Sequence, residues 1–149
     1  MDVKSGRGYP ASALSNFAYH PFIIDGVLCN SMEGFLQSLK FSNPEMQKYV
    51  CTLSGKTAKL EGKKKKWYRT QTLYWQGISI KRDSKEYQVL LDRAYMELYK
   101  NEKFRAALKA TGNATITHSI GKRKQNETIL TCQEFCSRLM KLRDNNGIL

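Results

Sequence analysis

The segment RDSKEYQVLLDRAYMELYKN, residues 82–101, constrains the fold most, because it carries the strongest helical pattern in the chain. Asp83 or Ser84 is expected to cap its first turn. Its apolar residues recur at helical spacing and form one stripe, made of Tyr87, Leu90, Leu91, Ala94 and Leu98. A helix of this kind has to pack against a core, and a chain of 149 residues is long enough to build one.

End signals predict three further helices. Asn43 is expected to cap the first, with Pro44 at its first position and Gly55 as its stop. The second begins after Asn101 and ends at Gly112. The third follows a capping box of Thr131 and Glu134, and it is expected to bury Phe135, Leu139 and Leu142.

Strand signals are short and few. In PFIIDGVLC, two apolar runs flank Asp25-Gly26, which suits a type I′ hairpin turn. The segments ISI (78–80) and ATITHSI (114–120) are expected to be extended, residues 56–82 to be part helix and part loop, and residues 1–12 to be an irregular arm. These elements predict a mostly helical α+β fold with a few short strands, in one domain spanning 1–149.

The charge balance favours an anionic partner. Lys and Arg number 25 against 13 acidic residues, which gives a net charge of +12 and a pI near 9.6. Such an excess attracts nucleic acid or phosphorylated ligands, although it can also serve solubility alone.

Cysteine and histidine spacing indicates neither a disulfide framework nor a metal site. Cys132 and Cys136 are separated by one helical turn rather than by the CxxC spacing of zinc and redox sites. The two histidines lie far apart in the sequence, and we expect no metal and no cofactor. Without a signal peptide or an apolar run near the ~20 residues needed to cross a bilayer, we expect a cytoplasmic protein with free thiols, no membrane association and a monomeric state.

The stretch NSMEGFLQSLKF, residues 30–41, raises the main functional question. Asn30 is expected to cap a helix here, with Glu33 completing a capping box. At 100° per residue, Glu33, Gln37 and Lys40 fall within about 60° of one another, beside an apolar stripe. The row is therefore either a solvated surface or the floor of a cleft.

A cleft would give this row a definite chemistry. A desolvated Glu33 can hold a proton near neutral pH and act as a general acid or base. A desolvated Lys40 becomes an amine nucleophile that can form a Schiff base with a sugar aldehyde. Cleavage of an N-glycosidic bond uses both functions.

Basic and aromatic residues alternate in EGKKKKWYRTQ, residues 61–71, a pattern typical of phosphate contact combined with base stacking. A solvated lysine-rich loop explains the same pattern. The candidate nucleic-acid contacts, together with two residues of a later basic loop, are Lys63, Lys64, Lys65, Lys66, Trp67, Arg69, Lys122 and Arg123.

Three blocks together resemble the YbiA-like, or NADAR, family. They are LSNFAYHPFIIDGVLCNSMEGFLQSLKF, YWQGISIKRDSKEYQVLLDRAYMELYKNEKFRAALKATG and, more loosely, HSIGKRKQNETILTCQEFCSRLMKLR. The likeness spans residues 14–143. It implies a compact α+β domain that hydrolyses N-glycosidic bonds.

The resemblance also implies roles for individual residues. Glu33 would be the acid/base residue and Lys40 the amine that captures the sugar, while Gln37 would orient the ribose hydroxyls. Asn16 and Phe17 would line the ligand. Trp75 matches the family's tryptophan and would stack on the ligand or wall the pocket.

The late loop HSIGKRKQNETILT, residues 118–131, departs from the family pattern. Many members have an acidic residue and a Trp-Gly segment there, whereas this chain has no tryptophan and no aspartate in the loop. His118, Lys122, Arg123 or Glu127 are the candidates to substitute for the acidic residue, and Gly121 lies among them as a substrate-binding candidate. For His118, a structural strand histidine is the alternative.

Two substrate classes are associated with such proteins, and the charge favours the first. One is ADP-ribose attached to guanine bases in nucleic acid, so that the enzyme would undo a modification placed on DNA by a toxin or defence ADP-ribosyltransferase and release ADP-ribose. The other is the phosphorylated ribosylamino intermediates of riboflavin synthesis, which need only one or two cations. A binding module for nucleic acid or ADP-ribose, without turnover, is the non-enzymatic alternative.

Overall fold

Seven α-helices and two β-hairpins build the protein, and the computed structural model describes all residues, 1–149. The helices are α1 (Ala11–Leu14), α2 (Met32–Ser38), α3 (Pro44–Cys51), α4 (Gly55–Lys63), α5 (Lys85–Tyr99), α6 (Glu102–Ala110) and α7 (Cys132–Asp144). The strands are β1 (Phe22–Ile24), β2 (Val27–Cys29), β3 (Thr72–Trp75) and β4 (Ile78–Lys81). The predicted α+β class is confirmed. No helix is both long enough and apolar enough to cross a membrane.

The core forms around α5, as its apolar stripe predicts. All five stripe residues are buried, and the Ser84 side chain caps the helix by accepting from the Tyr87 backbone N–H. The Tyr87 hydroxyl donates to the Ile129 carbonyl at 2.7 Å, so α5 also holds the segment that precedes α7.

The predicted caps are confirmed for α3, α6 and α7. Asn43 and Asn101 each accept two backbone N–H groups of the helix that follows. Thr131 and Glu134 form the reciprocal capping box of α7. These side chains satisfy orphan donors of the first helical turn, so each helix begins where its cap is.

Each hairpin turns on two residues with positive φ. Asp25 and Gly26 have φ of 49° and 78°, which confirms the turn between β1 and β2. Gln76 and Gly77 make the same kind of turn between β3 and β4, with Trp75 paired to Ile78. The prediction of a strand at ISI is confirmed, whereas its partner β3 was hidden in a segment read as part helix and part loop.

Three local predictions were wrong. Gly55 begins α4 instead of ending α3. The N-cap of α2 is Ser31, whose hydroxyl accepts from the Gly34 N–H, and Asn30 donates instead to the Thr52 carbonyl. Glu33 is therefore not a capping group.

The N-terminal arm and the 114–120 segment are tied to each other. Asp2 and Thr117 form a single parallel β-bridge, which is all the strand structure that 114–120 has. Val3 is fully buried, and its N–H donates to the Thr117 carbonyl at 2.8 Å. Residues 1–10 contain no helix, and the buried Val3 anchors this mostly exposed arm to the core.

Arg82, at the end of β4, joins three parts of the chain. Its side chain is 1% exposed and makes a two-point contact with the Glu134 carboxylate at 3.0 and 2.6 Å. Its Nε donates to the Thr128 carbonyl at 2.8 Å. The pair fastens the second hairpin to the start of α7 and to the segment before it.

We expect Arg82→Ala to lower the free energy of unfolding by about 3–5 kcal/mol, because it leaves the Glu134 carboxylate buried without its counter-ion. Denaturant unfolding measures the loss. Arg93→Ala is the matched control, since it removes an arginine that pairs with Asp25 but is 42% exposed, and it should cost about 0–1 kcal/mol. Equal losses in the two variants would contradict this account.

Candidate active site

A cavity of about 350 Å³ lies between α2, α4, the N-terminal arm and the late loop. It brings together most of the predicted catalytic and substrate-binding residues: Asn16, Phe17, Glu33, Gln37, Lys40, His118, Gly121 and Glu127. Two wider depressions lie elsewhere, one near Arg93 and one near Arg138. In the first of these Arg93 pairs with Asp25, and in the second Arg138 pairs with Asp92, whereas the 350 Å³ cavity holds a carboxylate and an amine that make no ion pair with each other.

Helix α2 points its polar row into this cavity. Glu33 and Gln37 lie on successive turns, and the Gln37 amide donates to Glu33 Oε2 at 2.7 Å. Lys40 follows just after the C-cap, Leu39. The row is therefore part of the cavity floor and not a solvated surface.

The Glu33 carboxyl is held in a desolvated position. Burial raises the pKa of Glu33 above its ordinary value, although the hydrogen bond from Gln37 and the charge of Lys40 oppose this. The Glu33 N–H donates to the Asn16 carbonyl at 3.0 Å, which ties the first turn of α2 to the cavity wall.

The pKa of Lys40 is shifted in the opposite direction, below its ordinary value. Burial lowers the pKa of Lys40, the charge of Glu33 opposes this, and the charges of Lys59, Lys122 and Lys63 add to the lowering, so that the pKa is about 8. Its amine makes no hydrogen bond or ion pair with the rest of the chain. Near neutral pH a useful fraction of this lysine is a free amine, the form that attacks carbon.

Gly62 is a site residue that sequence reasoning missed. A Cβ built at this position of α4 would lie 1.7 Å from Gln37 Oε1, so only glycine lets α4 cover the Gln37 amide. The sequence did contain a signal for Gly62. A glycine inside a helix costs about 1 kcal/mol relative to alanine and often marks a close contact.

Asn16 and Phe17 lie on the wall beside Glu33. The Tyr95 hydroxyl, from the centre of α5, donates to Asn16 Oδ1 at 2.8 Å and fixes the orientation of the amide. The core helix thus positions a polar group of the cavity directly.

Trp75 does not line the cavity, and the expectation that it walls the pocket was wrong. Its ring packs edge-on against Phe35 at 5.1 Å, and its Nε1 donates to Asp25 Oδ2 at 2.8 Å, so it supports the first hairpin. Trp67 is the tryptophan of the wall, and it is largely buried. The wall position was assigned to Trp75 instead of Trp67 because β3, the strand that carries Trp75 towards the first hairpin, was not predicted.

The candidate nucleic-acid contacts divide between the cavity and the outer surface. Lys63, Trp67 and Lys122 line the cavity. The remaining lysines of the run and Arg69 are exposed outside it; Lys64 pairs with Glu61, and Lys65 lies over the Phe41 ring. Arg123 lines the depression near Arg138 and not the cavity.

A phage family model matches residues 8–144, the family described as bacteriophage protein GP30.3. The chain belongs to the GP30.3 family. It is 38% identical over 150 residues, 97% of each chain, to the uncharacterized 17.1 kDa protein in the Gp30-rIII intergenic region of Enterobacteria phage T4.

The same fold is found in the NMR structure of the E. coli protein YbiA. That structure superimposes with a TM-score of 0.63 and 19% identity, over 97% of this chain and 82% of YbiA. The expected YbiA-like fold is thereby confirmed for this GP30.3-family chain. At this identity the likeness establishes the fold alone.

In this GP30.3-family protein, we expect Glu33→Gln to stabilise the fold at pH 7, by on the order of 1 kcal/mol. The folded state holds the Glu33 proton more tightly than the unfolded chain, so ionisation at pH 7 costs stability that a neutral amide does not. The gain should vanish as the pH falls below about 4, where both states are protonated.

Thermal unfolding at pH 7 and pH 4 measures this difference. Glu45→Gln is the control, because Glu45 is exposed at the start of α3. A Glu33→Gln protein less stable than the parent at pH 7 would show that the carboxylate is structural.

Proposed function

We propose that this protein is an N-glycosidase that hydrolyses the bond between ADP-ribose and a guanine base in DNA. The observation that carries the proposal is the pairing in one cavity of a carboxyl whose pKa is raised and an amine whose pKa is lowered. Opposed perturbations in one cleft are typical of an acid/base and nucleophile pair. The resemblance to NADAR proteins supplies the bond type.

Charge and size support this substrate. The cavity of about 350 Å³ suits a ribose with part of its substituents. Lys59, Lys63 and Lys122 line it and suit the diphosphate. Lys66 and Arg69 lie exposed beyond the rim and suit the phosphates of a DNA strand.

The cleavage step balances with these groups alone. The neutral Lys40 amine attacks C1 of the ribose, and the bond from C1 to the guanine nitrogen breaks, with its electron pair passing to that nitrogen. The Glu33 carboxylate takes a proton from the attacking amine and gives it to the departing nitrogen. Guanine leaves, and the sugar stays bonded to Lys40.

The same groups would suit a phosphorylated ribosylamino intermediate, the second candidate. Lys59, Lys63 and Lys122 are enough for one phosphate, and such a substrate would not need the exposed lysines. Replacing Lys64, Lys65 and Lys66 by glutamate separates the two, because only cleavage of a DNA substrate should fall. A binding module without turnover predicts that Glu33→Gln preserves the protein's function.

We expect the protein to release ADP-ribose from ADP-ribosylated guanine DNA and to form a covalent adduct at Lys40 that borohydride traps. Lys40→Arg keeps the charge but cannot form the imine, so the adduct should disappear and turnover should fall by at least ~100-fold. Glu33→Gln should lower turnover by about 10²–10⁴-fold with binding retained.

Mass spectrometry of the reduced adduct and chromatography of released ADP-ribose measure these outcomes. Lys48→Arg, on an exposed position of α3, is the matched control and should behave as the parent. Unchanged DNA adducts at high enzyme concentration would refute the substrate. Normal turnover by Lys40→Arg would refute the covalent route.

We also expect kcat/KM to rise with pH and to level off above about pH 8. The attacking form of Lys40 is neutral, and its pKa in the free protein is about 8. The fraction of free amine therefore increases tenfold per pH unit below that value and then saturates. A rate profile from pH 6 to 10 measures it, and a kcat/KM that is flat across pH 8 would exclude the neutral amine as the nucleophile.

A further inference from the structure

His118 is held in the cavity wall by contacts on three sides. Its Nδ1 lies 2.6 Å from the Val3 carbonyl oxygen. Its ring packs edge-on against Phe135 at 5.2 Å. The Cys132 thiol donates to the His118 backbone carbonyl at 3.1 Å.

These contacts decide which nitrogen of the imidazole can accept a proton. A carbonyl oxygen only accepts hydrogen bonds, so Nδ1 carries the proton and, in the neutral ring, Nε2 is left as an acceptor. No group of the chain binds Nε2. The imidazole shares its cavity with Glu33 and Lys40.

Gly121 leaves the space that the ring occupies. A Cβ built on Gly121 would lie 2.6 Å from His118 Cδ2 and 2.7 Å from Cys132 Sγ. The late loop therefore passes against the Cδ2–Nε2 edge of the imidazole with no side chain between them. Glu127 also lines the cavity but is exposed, and Arg123 lies outside it.

We propose that His118 is the catalytic base of the second half of the reaction, in which water releases the sugar from Lys40. The proposal rests on the proposed function and deepens it, because it assigns the late-loop residue that takes the place of the acidic residue of the family pattern.

The hydrolytic half begins with the sugar bonded to Lys40 as a glycosylamine. The ribose ring opens when the electron pair of its C1–O bond passes to the ring oxygen, which takes a proton from solvent and leaves a protonated imine on Lys40. Water adds to C1 and gives a proton to His118 Nε2. His118 then protonates the departing Lys40 nitrogen and takes the proton of the new hydroxyl group. The C1–N bond breaks, the aldehyde form of ADP-ribose leaves, and His118 returns the surplus proton to solvent.

His118→Asn tests this role. The asparagine amide can replace Nδ1–H as the donor to the Val3 carbonyl, while nothing replaces Nε2. Incubated with ADP-ribosylated guanine DNA, the variant should release about one equivalent of guanine base per protein in a burst. Steady turnover should then be slowed about 100-fold, and borohydride should trap more Lys40 adduct than in the parent.

Two further variants keep the test decisive. Gly121→Ala should give the same burst, because its methyl group displaces the imidazole while His118 remains. His20→Gln changes the other histidine, whose Nε2 binds the Ala13 carbonyl outside the cavity, and should leave turnover unchanged.

The outcomes separate the two proposals. A parent protein that neither cleaves the DNA adduct nor forms a trapped species refutes the proposed function itself. A parent that turns over, with His118→Asn and Gly121→Ala equally fast and without excess adduct, refutes the role of His118 alone. Equal loss of base release in the burst and of steady turnover also refutes it, because that pattern places His118 in the first step.

Discussion

The buried pair of Arg82 and Glu134 is the interaction on which the site wall depends. The guanidinium is almost wholly removed from water, and its charge is balanced by one carboxylate that also receives hydrogen bonds from Gln88 and from the Thr131 N–H. The hydrogen bonds from Arg82 and Gln88 lower the pKa of Glu134 against the effect of its burial, so it is held ionised. Removing either partner would leave the other as a buried charge without a counter-ion, which strongly destabilises the folded state.

That pair sets the position of the late loop. Arg82 Nε holds the Thr128 carbonyl, and the residues that follow, Ile129 and Leu130, line the cavity before α7 begins. At the other end of the loop, Asp2 accepts from both the N–H and the hydroxyl of Ser119. The loop that carries His118 and Gly121 is therefore fixed at both ends, and its basic residue Lys122 is held in the cavity wall.

Local signals predicted most of the helices, whereas the site required contacts between distant residues. The caps at Asn43, Asn101 and Thr131 act within three residues, so the sequence alone reveals them. The bridge between Asp2 and Thr117 joins residues from opposite ends of the chain, and no local pattern indicates it. Trp75 was misplaced for the same reason, since its direction is set by a hairpin and by Asp25, which lies fifty positions away.

The same distinction explains why Glu33, Gln37 and Lys40 could not be judged from their spacing. A polar row beside an apolar stripe becomes a cavity floor only if another element covers it, and α4 does so because Gly62 has no side chain. By covering the row, α4 removes water from Glu33 and Lys40, and this desolvation lowers the free energy of unfolding. Groups kept desolvated at a cost in stability are typical of sites selected for chemistry rather than for packing. The cavity joins this cost in stability to a cationic rim, whereas in the larger depressions of the surface Arg93 and Arg138 are paired with neighbouring aspartates.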